Sequence, residues 1–208
     1  MQKSGSPAMS FESLSPLILF TTISTISPGG ATTLATASGV QFGFRRSVPL
    51  LVGIATGLAS MAAAAALGLA GAIATFPSLQ LAMKAVGSIY LLWLAWRIGN
   101  SGPPDPSKDL ARPTRPITGV GLLWSNPKAW AMTMSAAASF SALAEGPGRL
   151  AVLLGCAFGI GAAVSLSLWC AAGQLLAQML RAAWQWRAVN ILLGLLLAVS
   201  IVPIWFDQ

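Results

Sequence analysis

The chain has 208 residues, of which 55% are hydrophobic and only 8% charged, with a mean hydropathy of +0.74. A soluble globular surface carries roughly 25% charged residues, so this composition excludes a soluble domain, and its apolar content excludes disorder. Twelve Lys and Arg against five Asp and Glu give a formal charge of +7, and histidine is absent. The absence excludes histidine metal sites, Ser-His-Asp and Cys-His catalysis, and histidine proton relays.

Backbone groups inside a bilayer have to be satisfied within their own segment, so apolar spans are helices of about 20 residues. Runs with little or no charge predict an all-α, polytopic membrane protein with six spans, at 14–38, 48–75, 78–98, 117–141, 150–180 and 187–206. Within the first run Ala35-Thr36-Ala37 is similar to a signal cleavage site. The run is too long for a signal peptide and poorly led by basic residues, so a spanning helix is expected.

Segment 99–116, GNSGPPDPSKDLARPTRP, is a hydrophilic linker rich in Pro and charge. It divides the single domain 1–208 into a first repeat, 14–98, and a second, 117–206. Three helices in each half means that the second half enters the membrane upside down, which predicts two inverted three-helix repeats.

The basic residues set the expected orientation. Arg45 and Arg46 fall between the first two spans, Arg97, Lys108, Arg112 and Arg115 around the linker, and Arg181 and Arg187 between the last two. The opposite side has Lys3 and Arg149. The positive-inside rule then places the linker in the cytoplasm and both termini outside. Trp93, Trp96, Trp184 and Trp186 suit the cytoplasmic interface and Trp205 the other.

The first and fourth spans are equivalent in such a repeat, and each is interrupted near its middle. The first has Ser27-Pro28-Gly29-Gly30 and the fourth Ser125-Asn126-Pro127-Lys128. Proline removes a backbone hydrogen bond and clashes with the preceding turn. Paired breaks near the midplane expose backbone groups that bind a polar solute. Pro28, Gly29, Gly30, Asn126, Pro127 and Lys128 are therefore the candidate substrate-binding residues. The hydroxyls of Thr21, Thr22, Ser24, Thr25, Thr32, Thr33, Thr36, Thr133 and Ser135 make a polar lining. A kink of purely structural origin is the plain alternative.

Lys84 and Lys128 are the cations inside apolar runs. Lys84 is near enough to an interface to snorkel. Lys128 lies close to the midplane, where it either holds a substrate carboxylate or carries a proton. Trp124, one turn earlier, is in reach for a cation–π contact. Lys84, Thr25 and Trp124 are thus supporting candidates. Glu12, Asp105, Asp109, Glu145 and Asp207 all lie in loops or at ends, so no buried carboxylate relay is expected.

Gly53-xxx-Gly57, Gly155-xxx-Gly159 and the run Ala62–Ala66 read as close helix packing. Cys156 and Cys170 read as small buried side chains about 21 Å apart along one helix, too far to pair. No Walker motif is present. No catalytic residue, metal or cofactor is expected, and no nucleic-acid partner.

In order and spacing these motifs resemble the LysE/RhtB family of amino-acid exporters over nearly the whole chain. Pro28-Gly29 resembles its Pro-Gly-Pro, and Gly43-Phe44-Arg45-Arg46-Ser47 with Gly53-xxx-Gly57 its basic loop and second helix. Lys84, Gly87, Tyr90-Leu91 and Trp93-Leu94-Ala95-Trp96-Arg97 resemble its third helix, and Asn126-Pro127-Lys128-Ala129 its Asn-Pro-Lys signature. The wording GFRRS and YLLWLAWRI is similar to cysteine and O-acetylserine exporters of the family.

Two positions depart from the pattern: Gly30 replaces the second Pro, and Leu58 stands where many members carry Asp. The resemblance implies a secondary exporter in the bacterial inner membrane. It would move small neutral amino acids or related metabolites out of the cytoplasm by alternating access. The missing Asp speaks against cationic substrates. Proton coupling and a homo-oligomer stay open. So do a membrane thiol–disulfide carrier, which needs cysteines on facing helices, and a non-transporting scaffold, which gives no reason for paired breaks.

Overall fold

Proline sets many of the helix starts, because its missing N–H is one that a first turn leaves unbonded anyway. The computed structural model describes residues 11–68, 76–100, 115–180, 182–199 and 201–202. Its helices are α1 (Phe11–Ile26), α2 (Gly30–Ala66), α3 (Pro77–Gly99), α4 (Pro116–Trp124), α5 (Pro127–Ser139), α6 (Pro147–Met179) and α7 (Ala183–Val199), with a 3₁₀ turn at Ser141–Leu143. The described residues contain no strand. The first expected span is split at residues 27–29 and the fourth at residues 125–126. The expected second and sixth spans run into residues 69–75 and 203–206, and the linker into 101–114; all of these lie outside the described residues.

Helix α2 is not one rod. Gly43 adopts φ +73°, ψ +169° within it, a conformation essentially restricted to glycine. Around it Ser38 Oγ and Ser47 Oγ are 2.7 Å apart, Ser47 Oγ donates to the Gly43 carbonyl at 2.8 Å, and the Phe44 N–H donates to Gln174 Oε1 at 2.7 Å.

The contacts on α6 show that the chain turns back here. Along α1 and the first leg of α2 that continues it, Thr21 and Thr25 meet Gly161, Thr25 meets Ser165, and Thr36 meets Gly173. That leg runs parallel to α6. Along the second leg, Phe44 meets Gln174, and Ala59 and Ala63 meet Gly159 and Gly155. That leg runs antiparallel. The loop expected between the first two spans is thus a single-residue reversal that leaves Arg45 and Arg46 exposed at its tip.

Helix α6 therefore fills the centre, against α1 and both legs of α2. Helix α4 lies parallel to the second leg, Pro116 over Gly53 and Val120 over Gly57. Helix α3 lies antiparallel to α7, Ala95 over Gly194 and Leu91 near Leu197 beside Gly30. Several approaches are closer than any side chain allows. A Cβ on Gly53 would overlap the Pro116 carbonyl, and one on Gly173 the Thr36 carbonyl. Gly53 and Gly57 of one GxxxG pair thus pack against α4, and Gly155 and Gly159 of the other against Ala59 and Ala63, as expected.

The buried centre contains Leu17, Ile54, Met61, Leu154, Phe158 and Leu197. The outward faces are apolar as well: Val86, Ile89 and Leu92 of α3, Val152, Ile160 and Val164 of α6, and Leu192, Leu195 and Val199 of α7 are all exposed. Contiguous exposed apolar faces of this kind are lipid-facing surfaces. Pro147–Met179 has the length and hydropathy of a span on its own, and so has Gly30–Ala66 by length and composition, although it reverses at Gly43. Cys170 is buried, but Cys156 is exposed on α6. The expectation that both cysteines are buried is corrected, since Cys156 falls on the outward stripe of a helix with two kinds of neighbour.

The reversal gives a direct test. Gly43→Ala should destabilise the protein by about 1–3 kcal/mol, read as a lower unfolding temperature in detergent, whereas Cys156→Ser should leave that temperature nearly unchanged.

Candidate functional site

Helix α1 stops at Ile26 and α2 begins at Gly30 because Pro28 cannot continue the hydrogen-bond ladder. Ile23 O keeps its helical donor, the Ser27 N–H, at 3.1 Å, and the three carbonyls after it are met by side chains. Ser24 O accepts from Ser27 Oγ at 3.0 Å. Thr25 O accepts from Ser165 Oγ of α6 at 2.7 Å, and Ile26 O from Trp169 Nε1 of α6 at 3.1 Å. Across the gap the Gly29 N–H donates to Thr32 Oγ1 at 2.8 Å, and that hydroxyl lies 3.0 Å from the Gly29 carbonyl, to which it donates.

The second break has the same logic. Asn126 caps α5, its Oδ1 accepting from the Lys128 N–H at 3.0 Å and its carbonyl from the Ala129 and Trp130 N–H groups. Trp124 O, at the end of α4, accepts from Trp130 Nε1 at 2.9 Å. The two rings meet edge-on at 5.4 Å, and Trp124 Nε1 donates to Ser60 Oγ at 3.1 Å.

Lys128 joins the breaks. It follows Pro127 in the first turn of α5, the end of a helix that disfavours a cation. Its side chain leaves that end and crosses to the C-terminal end of α1, which favours one. There Nζ donates to Ser27 Oγ and to the Pro28 carbonyl, each at 3.1 Å. A Cβ on Gly29 would stand 3.1 Å from Nζ, so glycine keeps the approach open. The Gly29 backbone is extended, φ −178°, and imposes no such demand itself.

A cavity of about 50 Å³ opens at this junction, lined by Ser24, Thr25, Ser27, Gly29, Gly30, Thr32, Asn126 and Lys128 with a wall of Leu58, Met132 and Leu166. It has room for a few water molecules. No carboxylate is among the lining residues.

Five of the residues expected at the site, Thr25, Gly29, Gly30, Asn126 and Lys128, thus line one cavity. Pro28 joins through its carbonyl. Pro127 opens α5, and its side chain lies outside the described residues, as does that of Lys84 on α3. Trp124 turns its ring to Trp130, where a contact with Lys128 was expected; a described cation–π contact is Arg97 over Trp93 at 5.4 Å. The expected hydroxyl lining is smaller than predicted. Thr21, Thr36 and Thr133 donate to carbonyls one turn back in their own helices and do not line the cavity; Ser24, Thr25 and Thr32 line it, although Thr25 likewise donates to the Thr21 carbonyl and Thr32 to that of Gly29.

Sequence reasoning missed Ser165, Trp169, Trp130 and Ser60. The available signal was the indole N–H: a tryptophan inside an apolar run needs an acceptor, and a broken helix supplies one.

A match to the family model described as LysE type translocator covers residues 22–201. The chain belongs to the LysE type translocator family. It is 29% identical to the cysteine/O-acetylserine efflux protein of Salmonella choleraesuis (strain SC-B67), an alignment covering 93% of this chain and 97% of that one. It is 28% identical, with the same coverage, to the protein of that name from Escherichia coli O1:K1 / APEC. No solved structure matches. The family, together with the apolar helices above, makes this a membrane transport protein and not an enzyme.

If α6 stabilises the first break of this translocator, Ser165→Ala and Trp169→Phe should each leave a helix-end carbonyl without its donor. Each loss should cost about 1–3 kcal/mol, measured as a fall in unfolding temperature.

Proposed function

We propose that this translocator exports small neutral amino acids, or metabolites close to them, from the bacterial cytoplasm through six spans built as two inverted three-helix repeats. The site lies between the two broken helices and opens to each side in turn. The observation that carries this reading is Lys128, which reaches from one break to bond the other.

The helix contacts support the repeat, because exchanging the halves leaves the pattern unchanged. The first span, α1 with the first leg of α2, runs parallel to α6, the fifth. The second leg of α2 runs parallel to α4, the start of the fourth span. The two self-related pairs, second leg with α6 and α3 with α7, are both antiparallel. Broken helices at related positions, facing one another at mid-depth, are how such carriers present backbone groups to a solute.

A lining with one ammonium, several hydroxyls, the Asn126 amide and no carboxylate suits a small zwitterion better than a cationic side chain. The relatives are named for cysteine and O-acetylserine efflux, and both are small neutral amino acids. A thiol–disulfide carrier is disfavoured by Cys156 and Cys170, which are both free and differ in exposure on the same helix.

The decisive experiment loads proteoliposomes with labelled amino acids and follows efflux with and without an imposed pH gradient. Accelerated loss of a neutral amino acid is expected, and Lys128→Ala should reduce it at least tenfold, about 1.4 kcal/mol, with the folded protein retained. Unchanged efflux in the variant would remove Lys128 from the site.

Orientation follows the positive-inside rule, with Arg45, Arg46, Arg97, Arg115 and Arg187 on the cytoplasmic side. In a background of Cys156→Ser and Cys170→Ser, Gln2→Cys should react with an impermeant thiol reagent added to intact cells; protection until lysis would reverse the orientation.

A further inference from the structure

We infer that the position held by Lys128 Nζ is the seat of the substrate's ammonium group, and that Lys128 is a tethered stand-in which a substrate amine displaces. The inference rests on the export reading and adds to it the group by which the substrate is recognised.

The seat is made of two neutral oxygens, Ser27 Oγ and the Pro28 carbonyl, at the C-terminal end of α1. Helix C-termini concentrate partial negative charge, and an ammonium, with three donors and no acceptor, is the matching group. Pro28 O precedes the first turn of α2, whose described N–H bonds go elsewhere: Gly29 to Thr32 Oγ1 and Thr33 to the Gly29 carbonyl. Gly29, without a Cβ, leaves the room beside the seat that the Lys128 ammonium occupies.

Lys128 is well suited to give the seat up. Its backbone belongs to the opposite break, in the first turn of α5, where an anion is favoured and a cation is not. A zwitterion that brings its own ammonium to Ser27 and Pro28 also brings a carboxylate. The released Lys128 ammonium then exchanges two neutral acceptors for a carboxylate, which adds an ion-pair attraction that neutral oxygens do not supply. Charge at the seat is conserved through the swap. A compound with a blocked amine cannot make it. A compound with an amine but no carboxylate has to displace Lys128 without giving it a new partner.

The test is binding, read as ligand-induced thermal stabilisation of purified protein, which does not depend on transport. The probes are alaninamide, an amine without a carboxylate, and N-acetylalanine, a carboxylate without an amine. The wild-type protein should bind alaninamide weakly. Lys128→Met, with the seat vacated, should bind it at least tenfold more tightly, and Lys128→Arg, which keeps a cation there, should not. N-acetylalanine should not stabilise any of the three. Equal or weaker alaninamide binding by Lys128→Met, or binding of N-acetylalanine comparable to that of alanine, would overturn the stand-in role. The expected order of alaninamide binding among the three proteins, with no amino acid exported by the wild type from proteoliposomes, would instead overturn the export reading, leaving the seat as an amine site.

Discussion

A bilayer offers no water to the backbone, so a helix broken inside it has to find partners for every group the break releases. The rest of this structure follows from meeting that constraint twice. At Pro28 the freed carbonyls are taken by Ser165 and Trp169 from α6 and by Lys128 from α5. At Pro127 the cap is Asn126, and the freed Trp124 carbonyl is taken by Trp130. The polar side chains that a membrane interior penalises are thereby gathered around two gaps in the backbone. The cavity at their junction is lined by the same residues that make the gaps tolerable.

The packing brings those partners into range. Ser165 and Trp169 reach the first break only because α6 lies in backbone contact with both legs of α2, through Gly155, Gly159 and Gly173. On the other side, Gly53 and Gly57 let α4 close on the second leg, which brings Trp124 to Ser60. Small residues replace the hydrophobic drive that lipid removes between helices. This arrangement also couples position to site chemistry. A shift of α6 along α1 has to break the hydrogen bonds to Thr25 and Ile26, so the position of α6 and the state of the first break are linked through two side chains. Lys128 adds a third link, because it is the member whose partners a bound zwitterion would change.

Much of this was legible in the residue order. Charge-free runs gave the helical segments, and Pro28 and Pro127 marked both interruptions, since proline breaks a helix whatever surrounds it. Asn126 next to Pro127 read as part of the site; the structure shows it as a helix cap that also lines the cavity. The loop expected around residues 39–47 was not one. Arg45 and Arg46 suggested a loop, but Gly43 alone reverses the chain because only glycine takes that backbone conformation. Trp124 was assigned to Lys128 by helical spacing, yet spacing within a helix has no meaning across a break. Once the ladder stops at Ser125, Trp124 and Lys128 no longer share a face.

The sequence by itself determined the class of the protein, the sites of both breaks and the cation between them, because hydropathy and proline act locally and need no neighbour. Tertiary structure alone decided who serves the breaks. That Lys128 bonds Pro28, that Ser165 and Trp169 bond the end of α1, and that most threonines satisfy their own helices depends on how separate helices are set against one another. Those distances are fixed by glycine contacts between segments more than a hundred residues apart in the chain, Thr36 on Gly173 among them, and no local pattern carries that information.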